Sequence, residues 1–108
     1  MQDNITKLFK AIADPTRRDI FHALVIATSA LSITQISSQF DISRQGVTKH
    51  IKTLENAGLV YIDSSGRERF CNANAKRLKE VTMWLKFYEQ FWDDSLQDLG
   101  NYLDEKRI

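Results

Sequence analysis

The N-terminal half of the chain places apolar residues at steps of three and four, the spacing of one face of an α-helix. This pattern predicts helices over residues 4–13, from Asp14 towards a loop at 28–30, over 32–40 and over 43–57. Asp14-Pro15 separates the first two helices, because aspartate caps helices well and proline suits the first helical position. Ser32 and Gln35 have capping-box spacing at the third helix. Only Asp41-Ile42 connects the third helix to the fourth, so the pair predicts a helix-turn-helix.

Strand-forming residues follow the fourth helix and predict a hairpin. Residues 59–62 are β-branched, aromatic and aliphatic, residues 64–66 read as a turn, and residues 67–71 return as a second strand. A last helix is predicted from Asn74 to about residue 106, a length of about 48 Å. The expected fold class is therefore mainly α with a small β-hairpin wing, a winged helix-turn-helix. It forms one domain over residues 1–108, with a recognition helix at about 43–57, a wing at about 59–72 and a long C-terminal helix at about 74–106.

The polar face of the fourth helix favours contact with DNA. Val47, Ile51 and Leu54 form its apolar face, and the opposite face carries cations, amides and hydroxyls with no acid before Glu55. Phosphates attract the cations, and base edges suit arginine, glutamine and threonine. An ordinary amphipathic helix with a solvated polar face is the alternative. The predicted DNA-binding residues are Ser43, Arg44, Gln45, Thr48, Lys49 and Lys52 on the helix, with Arg67 and Arg69 at the wing.

The two wing arginines leave one alternative open. A hairpin tip that carries arginine can reach the minor groove or its phosphates. Alternatively, Arg67 and Arg69 are solvated charges that pair with Glu68 or Asp63.

Three ordered motifs resemble the arsenical-resistance-repressor (ArsR) family of bacterial transcription regulators. They are the stretch from Leu8 to Ile20 with its Ala13-Asp14-Pro15-Thr16-Arg17 centre, Val47-Thr48-Lys49-His50-Ile51, and Ala57-Gly58-Leu59-Val60, followed by Gly66-Arg67. The resemblance implies a winged helix that binds double-stranded DNA. The aromatic pattern of the last helix resembles a subgroup of the family that lacks metal ligands and includes autorepressors.

Metal sensors of that family use cysteines in the third helix, or acids and histidines on the last helix. Residues 31–42 contain no cysteine or histidine, and residues 78–108 contain no histidine. His22, His50 and Cys71 lie on three different elements, whereas a zinc site needs three or four matched ligands. We therefore expect no metal and no cofactor. His50 is expected either to be partly buried and hydrogen-bonded or to contact DNA.

Cys71 is expected to be an inert packing residue. A redox switch, the alternative, would need an exposed thiol of lowered pKa.

Aromatic residues are concentrated on the last helix: five of the eleven in the chain lie within residues 84–92. A domain of this size can cover only one side of such a helix, so the rest predicts a dimer interface. A pocket for a hydrophobic effector is the alternative. The predicted interface residues are Trp84, Leu85, Tyr88, Phe91, Trp92, Leu96 and Leu99, which makes this the dimerisation helix.

Composition narrows the functional class. Hydrophobic content is 43% and charged content 27%, as in ordinary globular proteins. The net charge of +1 divides into a basic body and an acidic C-terminal helix, because residues 1–77 carry 11 Lys/Arg and 7 Asp/Glu whereas residues 78–108 carry 4 and 7. The chain shows no membrane span, secretion signal, Gly-rich phosphate loop or catalytic constellation. These features favour a cytoplasmic protein that is not an enzyme.

Together, the patterns predict a homodimeric repressor of a pseudo-palindromic operator with half-sites about 34–36 Å apart or a multiple of that. The alternatives are a winged-helix protein-interaction module and a repressor released by an organic or redox signal. The effector is unknown.

Overall fold

A computed structural model describes residues 3–92 of the chain, which fold into five helices and three strands. The chain divides into two compact units, Met1–Leu78 and Lys79–Ile108. The elements are α1 (Asn4–Ile12), α2 (Pro15–Ile26), β1 (Leu31–Ser32), α3 (Ile33–Phe40), α4 (Arg44–Asn56), β2 (Val60–Ser65), β3 (Glu68–Ala73), a 3₁₀ helix (Ala75–Leu78) and α5, which is helical over 79–92.

Each of the first four helices begins at a side chain that accepts a hydrogen bond from the first turn. Asp14 accepts from the backbone nitrogen of Arg17 at 2.8 Å, and Ser43 accepts from that of Gly46 at 3.0 Å. Ser32 and Gln35 form the predicted capping box, with bonds of 3.1 and 2.8 Å. Because these caps depend on neighbours in the sequence, the predicted helix starts are confirmed.

The core lies between the helices and the sheet. Its largest fully buried side chains are those of Leu8, Ile20, Ile36, Val47, Ile51, Leu54, Leu59, Val60 and Cys71. Three of them form the apolar face of α4, so burial fixes which side of that helix faces outward.

The turn between α3 and α4 depends on one residue in a left-handed conformation. Asp41 has φ 53° and ψ 46°, a region that aspartate tolerates better than most residues. The backbone nitrogen of Ile42 then donates to Ser37 O at 3.2 Å, and Ser37 Oγ donates to Ile42 O. A Cβ at Gly46 would lie 2.8 Å from Ile42 Cγ2, so the first turn of α4 approaches this turn as closely as glycine allows.

The sheet has three antiparallel strands in the order β1-β3-β2. The sequence pattern missed β1, because two residues are too few to show alternation, yet Leu31 pairs with Cys71. The predicted turn at residues 64–66 is wrong: Ser64 and Ser65 continue β2, and the turn is Gly66-Arg67. Strand pairing depends on main-chain hydrogen bonds, so the polar side chains of Ser64 and Ser65 do not end β2.

The predicted start of the last helix is also wrong. Residues 75–78 form a 3₁₀ helix, and α-helix begins at residue 79 rather than at Asn74. Asn74 Nδ2 donates to Gly58 O at 2.9 Å, and Arg77 Nε donates to Ala57 O at 3.2 Å. These bonds tie the segment to the corner between α4 and β2 before the α-helix begins. The predicted C-terminal end lies outside the described residues.

Candidate nucleic-acid interface

The outward face of α4 presents its polar side chains in two rows. Gln45, Lys49 and Lys52 are exposed and follow each other at steps of four and three residues, so they share one side of the helix. Arg44 and Thr48, also four residues apart, form the second row. The first row is open to solvent, and the second faces the wing.

A pocket of about 170 Å³ joins the second row to the wing. Arg44 and Thr48 line it together with Ile33, Arg67 and Arg69. Three arginines therefore line this basic pocket, and no carboxylate among residues 3–92 does. Guanidinium groups bind phosphate through directed, charge-assisted hydrogen bonds. The structure thus brings together residues that are distant in the sequence into a site suited to an anionic oxygen group.

The acidic neighbours of the wing arginines do not neutralise them. Arg67 lies in the hairpin turn and Arg69 is exposed on β3. Within residues 3–92, no salt bridge joins either arginine to Asp63 or Glu68, and Glu68 Oε2 is buried with no hydrogen-bond partner. The paired-charge alternative therefore has no support from the described contacts.

Two of the hydroxyl groups predicted to bind DNA also make hydrogen bonds to the backbone of α4. Ser43 Oγ accepts from the Gly46 backbone, and Thr48 Oγ1 donates to Arg44 O at 2.8 Å. Ser43 can therefore meet DNA as a donor through its hydroxyl hydrogen, and Thr48 as an acceptor through its remaining lone pairs.

His50 lies at the border between the exposed and buried faces of α4. It is half-buried, and its Nδ1 lies 3.5 Å from a terminal guanidinium nitrogen of Arg17 in α2. Arginine only donates hydrogen bonds, so Nδ1 of a neutral ring is the acceptor. This contact matches the partly buried, hydrogen-bonded interpretation. Arg17 is a functional residue that the sequence pattern does not predict; the available signal is a cation just after the break between two helices.

Cys71 is fully buried in β3, at 0% exposure. Burial, and to a smaller extent the negative charge of Glu55, raises the pKa of its thiol to about 11. A redox switch requires an exposed thiol of lowered pKa, which is the opposite environment.

We expect Cys71 in the folded protein to react far more slowly with a disulfide reagent at mildly alkaline pH than in denaturant. A pKa of about 11 leaves very little thiolate, and burial blocks access to it. A colorimetric thiol assay with and without denaturant measures both rates. Equal rates would show that β3 opens readily or that the thiol is accessible.

Residues 3–92 contain no group of three or more histidine, cysteine, aspartate or glutamate side chains placed to hold a metal ion. Across the same residues, no helix combines the length and apolar character needed to cross a membrane.

Aromatic side chains are exposed along α5. Neighbouring rings contact one another: the Trp84 and Tyr88 centroids are 4.8 Å apart, and those of Phe87 and Phe91 are 5.6 Å apart. Phe91 is 63% exposed and Trp92 is 41% exposed, whereas Leu85 is half-buried. The predicted interface residues Leu96 and Leu99 lie outside the described residues.

Comparison with known proteins identifies the family. A helix-turn-helix domain model matches residues 12–61. The chain is 35% identical to the uncharacterized HTH-type transcriptional regulator YuzN of Bacillus subtilis over 75% of this chain and 94% of that protein. It is 26% identical to the transcriptional repressor SdpR of the same species, over 85% and 100% of the two chains.

A solved structure leads to the same family. The ArsR family transcriptional regulator RHA00566 superimposes with a TM-score of 0.75 at 28% identity, over 83% of this chain and 91% of that one. The order of helices and the antiparallel wing described above are those of a winged helix-turn-helix. The chain belongs to the ArsR family of winged helix-turn-helix proteins and is a DNA-binding transcriptional regulator.

Proposed function

We propose that the protein is a homodimeric repressor that binds a pseudo-palindromic operator through α4 and the wing of each subunit. The basic pocket is the observation that carries this proposal, because three arginines line it with no carboxylate of residues 3–92 among them, and guanidinium groups bind phosphate through charge-assisted hydrogen bonds. Repression would follow from occupation of the promoter. Because a regulator of this kind acts on the chromosome, we also propose that the protein is cytoplasmic.

The two rows of side chains on α4 are assigned to different parts of the DNA. Gln45, Lys49 and Lys52 enter the major groove, where an amide can pair with adenine and lysine can contact guanine or a phosphate. Arg44 and Thr48 face the wing arginines instead, so we assign this group to the backbone beside the groove. Arg44 and Thr48, which the sequence favours for base recognition, are thereby assigned to phosphate contact instead.

Dimerisation sets the form of the operator. The exposed aromatic side of α5 gives each subunit an apolar surface that a second copy can cover. A two-fold axis then produces two half-sites in inverted orientation. The basic pocket argues against a pure protein-interaction module, since such a module gains nothing from three arginines that have no acidic partner among residues 3–92. We also propose that zinc, cadmium and arsenite do not release the operator.

Replacement of Gln45 by alanine tests the base-reading row. We expect Gln45→Ala to lower the affinity for the operator by about 1–3 kcal/mol, the usual cost of one base contact. Binding to random DNA should stay near the wild-type value, because phosphates dominate it. Operator fragments selected from genomic DNA supply the specific probe, and fluorescence anisotropy measures both affinities.

Gln39→Ala is the matched control, since Gln39 is exposed near the end of α3. It should leave both affinities unchanged. An equal loss on operator and random DNA in Gln45→Ala would contradict base recognition by Gln45.

A further inference from the structure

Two consecutive arginines close the C-terminal end of α1. Arg17 Nε donates to Ala11 O at 2.6 Å, and one of its terminal nitrogens donates to Lys10 O at 2.9 Å. Arg18 donates to Ile12 O at 2.6 Å and to Ala13 O at 3.2 Å. The last carbonyls of a helix have no partners within it, and that end carries partial negative charge. Both arginines therefore complete α1 in the same way.

Only Arg17 also reaches α4. Its remaining terminal nitrogen lies 3.5 Å from His50 Nδ1. A guanidinium group is planar and holds its donors in fixed directions. All three side-chain nitrogens of Arg17 are therefore engaged, two with α1 and one with α4.

The backbone of Arg17 is held as well. Its nitrogen donates to Asp14 Oδ2 at 2.8 Å. That hydrogen bond is the main reason why the pKa of Asp14 is lowered, so the carboxylate stays charged at neutral pH. Both ends of Arg17 are thus fixed to the junction between α1 and α2.

The position of His50 on α4 explains why its contact with Arg17 matters for DNA binding. Its neighbours in the sequence are Lys49, which is exposed in the proposed base-reading row, and Ile51, which is buried in the core. A small rotation of α4 about its axis would move both the histidine ring and the exposed row. Contact with a base edge tolerates little misplacement, because hydrogen bonds weaken steeply when misaligned.

We propose that Arg17 is a positioning residue for operator binding: it connects the C-terminal end of α1 to His50 and so sets the rotation of α4 in the major groove. Arg17 does not itself touch DNA. This inference rests on the proposed role of α4 as the base-reading helix.

Arg18 provides the control for replacement of Arg17. Arg17→Met and Arg18→Met each remove a cation and two hydrogen bonds from the end of α1, but only Arg17→Met removes the contact with His50. We expect Arg17→Met to lower operator affinity about tenfold more than Arg18→Met, the fold-change that corresponds to one lost hydrogen bond of a charged group. Binding to random DNA should differ little between the two variants. Equal losses on the operator would overturn the proposal.

A double-mutant cycle tests the link directly. His50→Phe should weaken operator binding in the wild-type background and have no further effect in Arg17→Met. Additive effects would show that the two residues act separately, which overturns the link. If Arg17→Met fails to fold, Arg17→Lys replaces it: lysine keeps the cation but has one nitrogen, which cannot contact both α1 and His50.

NMR of the DNA-free protein separates this inference from the proposed function. At alkaline pH, the ring ¹⁵N signals of His50 should move in Arg17→Met and keep their wild-type positions in Arg18→Met. Unchanged His50 signals in both variants would overturn the contact itself. A wild-type protein that does not distinguish any genomic fragment from random DNA, with the expected His50 shifts, would instead contradict the proposed function.

Discussion

Replacement of Phe91 by glutamate is expected to convert the proposed dimer into a monomer. At about 100° per residue, Phe87, Phe91 and Trp84 lie near the middle of the aromatic side of α5. Phe91 is 63% exposed in the isolated chain, so we expect a second copy to cover it. An unpaired carboxylate buried in that interface would cost several kcal/mol. Sedimentation at micromolar concentration measures the result.

Lys86→Glu is the control for this change, because it places the same carboxylate on the opposite side of α5. It should leave the protein dimeric. Operator affinity should fall in Phe91→Glu although Phe91 lies far along the chain from α4, since a monomer covers only one half-site. A monomeric wild type, or a Phe91→Glu variant that stays dimeric, would rule out this helix as the interface.

Removal of both wing arginines is expected to reduce the salt dependence of DNA binding. Each phosphate contact contributes about 0.9 to the slope of log K against log salt, so Arg67→Ala combined with Arg69→Ala should lower its magnitude by about 1.8. The physical basis is the basic pocket, in which both side chains stand without an acidic partner among residues 3–92. Titrations on random DNA at several salt concentrations give the slope.

A double variant of equal charge change controls for net charge. Lys7→Ala combined with Lys76→Ala removes two exposed cations from α1 and from the 3₁₀ helix, neither of which lines the pocket. Its slope should match that of the wild type. If the wing variant also kept the wild-type slope, the wing would not contact phosphate.

The placement of α4, the proposed recognition helix, could be predicted from the sequence because its causes are local. Ser43 caps α4 through a residue three positions away, and Val47, Ile51 and Leu54 recur at the helical period. The exposed row of Gln45, Lys49 and Lys52 is simply the other side of that stripe. Caps and periodicity depend on neighbours within one or two turns, so a single sequence reveals them.

The composition of the basic pocket could be predicted only in part. Arg44, Arg67 and Arg69 were each expected to bind DNA, but their meeting in one pocket depends on how the hairpin folds back towards α4. The two-residue β1 strand exists only because β3 offers it a partner. Contacts between distant segments follow from packing, which leaves no local pattern in the chain.

The order of the helices, their caps, the outward face of α4 and the family motifs could all be predicted from the sequence, because they depend on residue type and short spacing. Contacts between distant segments were needed to show that Arg17 bridges α1 to His50, that β1 pairs with β3 and that residues 75–78 form a 3₁₀ helix. In each case the cause is a contact between segments that are far apart in the chain. Such a contact forms only once the whole core has packed.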